Sequence, residues 1–182
     1  MPGDRYKISD QYATYFSTLP IIKWIDLFSR RNYRDILVDS LNYCHKNKGL
    51  EVFSYVIMSN HMHLIARTHP PFKFSDFLRD YKKFTSKAIM KEMDLINESR
   101  REWLVDKFEF EARKTGRAEN CKIWKDSNHA IEIDGQVSLW QKINYIHDNP
   151  VRAGLVAEPE HYIYSSARDY TGKKGMVTVS VV

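Results

Sequence analysis

Cysteine is almost absent from this chain. Cys44 and Cys121 stand alone, without C-x-x-C spacing. That argues against a disulfide framework or a cysteine-based zinc site and leaves two ordinary, buried or half-buried thiols as the expectation. Long apolar runs are missing too, and none approaches the ~20 residues that a membrane helix needs. The first residues, Met-Pro-Gly-Asp-Arg-Tyr-Lys, carry no apolar signal region, so a cytoplasmic protein is expected. Glycine and proline are few and scattered, with no low-complexity linker and no internal repeat. Nor is there a surplus of acid: the formal charge is +5, with 13% aromatic residues. A basic, aromatic-bearing chain suits a nucleic-acid partner, although this is a weak signal by itself. With 43% hydrophobic residues over 182 positions, one domain spanning 1–182 with a real core is expected.

What is present centres on Ser54-Tyr-Val-Ile-Met-Ser-Asn-His-Met-His-Leu-Ile-Ala-Arg67. Two apolar, β-favouring runs meet at Ser59-Asn60, which predicts an antiparallel hairpin. Side chains alternate along a strand, so His61 and His63 share a face, with Cα atoms about 7 Å apart. Two imidazoles at that spacing can converge on one cation. Met62 then points to the opposite face, toward the core.

Around this hairpin the pattern predicts a first strand over Tyr12–Leu19, stopped by Pro20, and an ambiguous apolar stretch to Ser29. A helix follows over Arg31–Lys48, with Gly49 as its left-handed stop. The hairpin strands are Leu50–Met58 and Met62–Thr68. A second helix begins at Ser75, read as its N-cap, and runs to about Met93. Residues 97–120 are charged and mixed, either one more helix or a variable insertion. Cys121–Trp124 and His129–Ile133 look extended. A late helix covers Val137–Asn149, limited by Pro150. The tail, 157–182, carries Tyr162, Tyr164 and Tyr170 and ends in a β-branched run able to pair or to extend to a partner. The order is βαββαβ. It predicts an α+β, ferredoxin-like antiparallel sheet with helices on one face, plus the late helix, and leaves the other sheet face for ligand.

On the late helix, Tyr145 and Asn149 are four apart and share a face. Tyr145 offers a nucleophilic hydroxyl, and Asn149 an amide oxygen that a hard cation accepts. A nearby cation helps a phenol ionise and polarises a phosphate, so His61, His63, Asn149 and Tyr145 form a coherent set for phosphoryl transfer. Each also has a plain reading: H-x-H is common on strands, and a helix tyrosine is most often an anchor. Tyr81 is a rival nucleophile whose neighbours mark it as core. His129 and His147 are rival ligands, but His147 lies about 200° round the helix from Tyr145.

Ser59-Asn-His-Met-His-Leu64 resembles the histidine-hydrophobic-histidine (HUH) motif of single-tyrosine transposases. Tyr145-Ile-His-Asp-Asn-Pro-Val-Arg-Ala-Gly-Leu-Val156 resembles the tyrosine helix of their REP-associated branch. Tyr162–Tyr170 and Asp80–Ser86 are similar to further segments there. The resemblance implies a bacterial DNA-transposition enzyme that cleaves and rejoins single-stranded or hairpin DNA through a covalent 5′-phosphotyrosine. It implies Tyr145 as nucleophile and Mg²⁺ or Mn²⁺ held by His61, His63 and Asn149. Dimers occur in the family, so a homodimer is one expectation, with the tyrosine serving its own or the partner's site. Lys82, Lys83, Lys87, Arg113, Lys114, Arg117 and Arg152 are candidate phosphate contacts. The alternatives are a non-catalytic nucleic-acid-binding module on the same fold, and a small-molecule-binding protein with both histidines locked in the core.

Overall fold

A computed structural model describes residues 7–116 and 120–182. Its sheet has four strands, β1 (Tyr15–Pro20), β2 (Leu50–Ile57), β3 (His61–Thr68) and the two-residue β4 (Ile131–Glu132), in the spatial order β2-β3-β1-β4. All pairings are antiparallel. This is the ferredoxin-like arrangement expected from the element order, with the two longest pairings on either side of β3.

Helix α1 (Arg31–Asn47) and helix α2 (Phe74–Leu95) pack on one face. The β3 residues Met62, Leu64 and Ala66 are fully buried. Tyr81 of α2 donates its hydroxyl to the Leu37 carbonyl and meets the Met62 sulfur at 3.7 Å. Tyr81 is thus core, as its neighbours implied. Gly49 ends α1 at φ 59°, where a side chain would also meet Phe72. The ambiguous stretch after β1 forms two short 3₁₀ turns, Ile22–Trp24 and Leu27–Ser29. The charged stretch at 97–120 is mostly helix α3 (Arg101–Thr115), ended by Gly116 at φ 61°.

Two helix ends differ from the sequence expectation. Helix α2 starts one residue before Ser75, and Ser75 is not its N-cap. Its N–H instead donates to the Gln11 side-chain oxygen at 3.0 Å, so a residue far away in sequence does the capping. Helix α4 (Gly135–Arg152) does not stop before Pro150 but carries it in the last turn. Pro150 removes one N–H where few intrahelical bonds remain to be made. The stop comes four residues later. Gly154 sits at φ 69°, its N–H donates to Val151 O at 2.9 Å, and the Leu155 N–H donates to Pro150 O at 2.9 Å. That pair of bonds around a left-handed glycine is a Schellman stop. The run Asn-Pro-Val-Arg-Ala-Gly-Leu therefore keeps Arg152 in helical phase with Tyr145 and Asn149, at i, i+4 and i+7.

The second sheet face is not open over its whole extent. Helix α4 packs across β2 and β3. The C-terminal segment covers the exposed edge of β2: Ser165 bridges Val56, and the Ser180 N–H donates to Val52 O at 2.8 Å. The β-branched tail thus pairs with its own chain and blunts an edge strand. Among the described residues no helix is long and apolar enough to cross a membrane.

Candidate active site

Three side chains of the second face meet one from α4. His61 and His63 project from β3 with ring centroids 4.7 Å apart. Phe16, from neighbouring β1, stacks on His63 at 5.4 Å. Tyr145 descends from α4 and sets its ring edge-on to His63 at 5.3 Å and to Phe16 at 6.0 Å. Strand alternation places the two histidines on this face, and the buried Met62 confirms that the intervening residue faces the other way. Tyr145 is 40% exposed whereas His63 is 5% exposed, so the phenol lies at the mouth of the site and the imidazole at its floor. All of this is contributed by one chain.

One hydrogen bond sets the His61 tautomer, and a second holds the His63 ring. Asn60 Oδ1 lies 2.7 Å from His61 Nδ1. An amide oxygen only accepts, so His61 carries its proton on Nδ1 and presents an Nε2 lone pair. Thr18 Oγ1 lies 2.9 Å from His63 Nδ1. With Nδ1–H donating to that hydroxyl, His63 presents Nε2 in the same way. Burial lowers the pKa of both rings, that of His63 to about 3, with His61, Arg152 and Lys142 adding to the effect. Both rings are therefore neutral near pH 7, the state in which imidazole binds a cation. Two neutral nitrogen donors with their second nitrogens held by Asn60 and Thr18 fit a divalent metal. Among the described residues no third His, Cys, Asp or Glu completes a cluster; a neutral amide oxygen is a further donor that a hard cation accepts. Asn149 Nδ2 donates to Tyr145 O at 3.0 Å, which leaves its amide oxygen as an acceptor on the Tyr145 face of α4.

Cations surround the pocket. The Arg152 guanidinium lies 4.7 Å from the Tyr145 ring centroid, and the Lys142 ammonium 4.8 Å from that of Phe16. Of the described basic residues singled out from the sequence, Arg152 alone has a ring or charge contact with the cluster. Lys83 and Lys87 are exposed on α2, and Arg113 and Lys114 are exposed on α3. Lys82 turns inward: its ammonium donates to Lys125 O at 2.7 Å, and burial lowers its pKa to about 8. Arg117 lies outside the described residues.

His147 stands apart, as its helical phase required. It is buried on the opposite side of α4, with Nε2 2.9 Å from Ser166 Oγ and 3.3 Å from Ser54 Oγ. Ser54 lies on β2 and Ser166 in the C-terminal segment, so His147 pins α4 to both and sets the rotation that aims Tyr145 at His63. Sequence reading missed Phe16, Thr18, Asn60 and Lys142. Thr18 and Asn60 carried a usable signal, since alternation puts Thr18 on the His63 face and Asn60 precedes His61. Their pairing with the histidines depends on β1–β3 register, which no local pattern gives.

Residues 25–111 match the model of the family described as IS200-like transposases. That span contains His61 and His63 but not Tyr145. A search of curated proteins gave no match. Among solved structures, the chain is similar to a REP-associated tyrosine transposase bound to a REP hairpin. The two share 18% identity over 96% of this chain and 89% of that one, with a TM-score of 0.63. A putative transposase from Deinococcus radiodurans aligns at 15% identity over 79% of this chain and 96% of that one, with a TM-score of 0.44. Over residues 25–111 the chain is thus similar to the IS200-like transposases, and as a whole it has the fold of a REP-associated tyrosine transposase.

Proposed function

We propose that this chain cleaves and rejoins single-stranded DNA by transesterification at Tyr145, acting on hairpin or repeat DNA. The observation that carries the reading is the convergence of His61, His63 and Tyr145 from β3 and α4 in one ring cluster, with Tyr145 exposed. The family match and the fold of a hairpin-bound transposase support it. In the step proposed, the Tyr145 hydroxyl loses its proton to solvent and its oxygen attacks phosphorus. The P–O3′ bond breaks, the 3′-oxygen leaves and takes a proton, and the 5′ side stays linked to Tyr145. The reverse attack by a 3′-hydroxyl restores a phosphodiester, so the link conserves the bond and rejoining needs no nucleotide triphosphate.

His61, His63 and Asn149 would hold Mg²⁺ or Mn²⁺. When bound, the cation withdraws charge from the phosphate oxygens as a Lewis acid. The chain's own residues do the rest. Phe16 and His63 fix the plane of the Tyr145 ring, and Arg152 and Lys142 supply positive potential where the strand must pass. Lys83, Lys87, Arg113 and Lys114 extend a basic surface for the remaining phosphates. The placement of His63 beside Tyr145 runs against the reading in which the histidines are locked in the core far from the tyrosine.

The test uses hairpin DNA with single-stranded arms, taken from the flank of the gene and labelled at both ends, with Mn²⁺. The proposal expects a protein–DNA adduct that survives denaturant, together with a fragment ending in a free 3′-hydroxyl. Salt-sensitive binding with neither product, with or without Mn²⁺, would leave the non-catalytic binding module in its place.

A further inference from the structure

Trp24 is held at a cost that its packing does not explain. Its neighbours Ile21, Ile22, Ile25 and Leu27 are buried, yet Trp24 is 49% exposed. Lys23 and Trp24 have φ of 51° and 55°, two successive non-glycine residues in the left-handed region. Single residues there are uncommon and unfavourable, and such strain gathers where a side chain must be presented in one place. The turn is locked by Trp24 N–H to Ile21 O at 3.1 Å and Ile25 N–H to Ile22 O at 3.2 Å.

What the turn presents is an aromatic ring beside the candidate site. The Trp24 ring meets His61 edge-on at 5.6 Å. The Lys125 ammonium lies 4.3 Å from the Trp24 ring centroid. Lys125 is itself fixed, its N–H on Pro20 O at 2.9 Å and its carbonyl taking the Lys82 ammonium. One residue back, Lys23 lies 4.8 Å over the ring of Phe110, which is also 49% exposed. Exposed aromatic faces interleaved with lysines are the surface on which unpaired bases stack while cations meet the backbone.

We propose that Trp24 is a stacking platform for an unpaired nucleobase next to the scissile phosphate, with Lys125 contacting the adjoining phosphate and Phe110 with Lys23 continuing the track. This rests on the reading of the site as one that acts on single-stranded DNA. Stacking tolerates any base, so the platform sets the register of the strand over His61 rather than reading its sequence. Lys82, whose ammonium is bonded to the Lys125 carbonyl, supports Lys125 from behind.

The test measures binding of fluorescein-labelled dT12 by anisotropy, without metal, in a Tyr145→Phe background where no covalent step contributes. Trp24→Ala is expected to weaken binding about 5- to 150-fold, the equivalent of ~1–3 kcal/mol per stacked base. Trp24→Phe, which keeps a ring, should stay within a few-fold of the parent. Trp24→Gly should lose binding as the alanine variant does while its melting temperature holds or rises, because glycine relieves the left-handed φ. Lys125→Ala should flatten the salt dependence by about one phosphate contact. The proposal is overturned if the alanine or glycine variant binds dT12 as the parent does, if Trp24→Phe is as weak as Trp24→Ala, or if Trp24→Gly melts well below the parent. Because binding is read without cleavage, absence of a covalent adduct in the wild type would defeat the transesterase reading and leave this result standing. Loss of the platform would leave the transesterase reading intact.

Discussion

Replacing Glu98 with Gln removes one buried charge from a fully satisfied network without changing its shape. The Glu98 side chain is 0% exposed. It accepts Arg30 Nε at 2.9 Å and Arg30 Nη2 at 3.0 Å, the Tyr33 hydroxyl at 2.9 Å, and the Arg100 N–H and Nε at 3.2 and 3.3 Å. Burial pushes its pKa up, but the bonds from Arg30, Arg100 and Tyr33 outweigh it and lower the value from 4.5 to about 2. At ~1.4 kcal/mol per unit this is about 3 kcal/mol of stability. The folded value is depressed, so the contribution is fully present above the unfolded value of 4.5 and is lost as pH falls toward 2. The Gln variant should therefore unfold about 1–3 M earlier in urea at pH 7, for a slope of ~1–3 kcal/mol/M. The gap to wild type should shrink steadily between pH 4.5 and 3. A gap equal at pH 7 and pH 3, or no gap at pH 7, would refute the reasoning. The network also reaches the candidate site. Arg100 donates to Asp26 O at 3.2 Å, and the Asp26 carboxylate takes the Ser59 hydroxyl at 2.6 Å, next to Asn60 and His61.

Three further outcomes are expected. Asn60→Ala frees the His61 tautomer and should weaken Mn²⁺ binding about 10- to 100-fold, read by calorimetry, with the fold unchanged by circular dichroism. His63 has a folded pKa of about 3, and burial lowers that of His61. Protons therefore compete poorly for these rings, and Mn²⁺ affinity should hold nearly constant from pH 7.5 to about 6, where free imidazole would already be losing it. His147→Ala removes one partner from each of the Ser54 and Ser166 hydroxyls, which keep each other at 2.9 Å, and each hydrogen bond lost costs ~0.5–1.5 kcal/mol. It should lower the melting temperature, and DNA cleavage should fall further than stability alone accounts for, because Tyr145 loses its bearing; Mn²⁺ affinity should stay within a few-fold of wild type.

Much of this was legible along the chain because it depends on local periodicity. Alternation placed His61 and His63 on one face and Met62 on the other. Helical phase separated His147 from Tyr145, and the order of elements predicted the sheet. Pro150 was misleading because a local rule about the residue before proline gave way to the Schellman stop at Gly154. Ser75 was misleading because the cap comes from Gln11, brought near only by the fold. The cation pairs were hidden for the same reason: whether a lysine faces solvent, as Lys83 does, or a carbonyl, as Lys82 does, is decided by the neighbouring segment. Trp24 gave no signal, since nothing in Ile-Lys-Trp-Ile announces two left-handed residues.

The central claim is that Tyr145 is the nucleophile of this pocket. Wild-type protein and Tyr145→Phe, each incubated with labelled hairpin DNA and Mn²⁺, are digested and the linked peptide is sequenced by mass spectrometry. The account predicts a nucleotide mass on the Tyr145 peptide of the wild type and no adduct with the phenylalanine variant. An adduct of equal yield in the variant would contradict it.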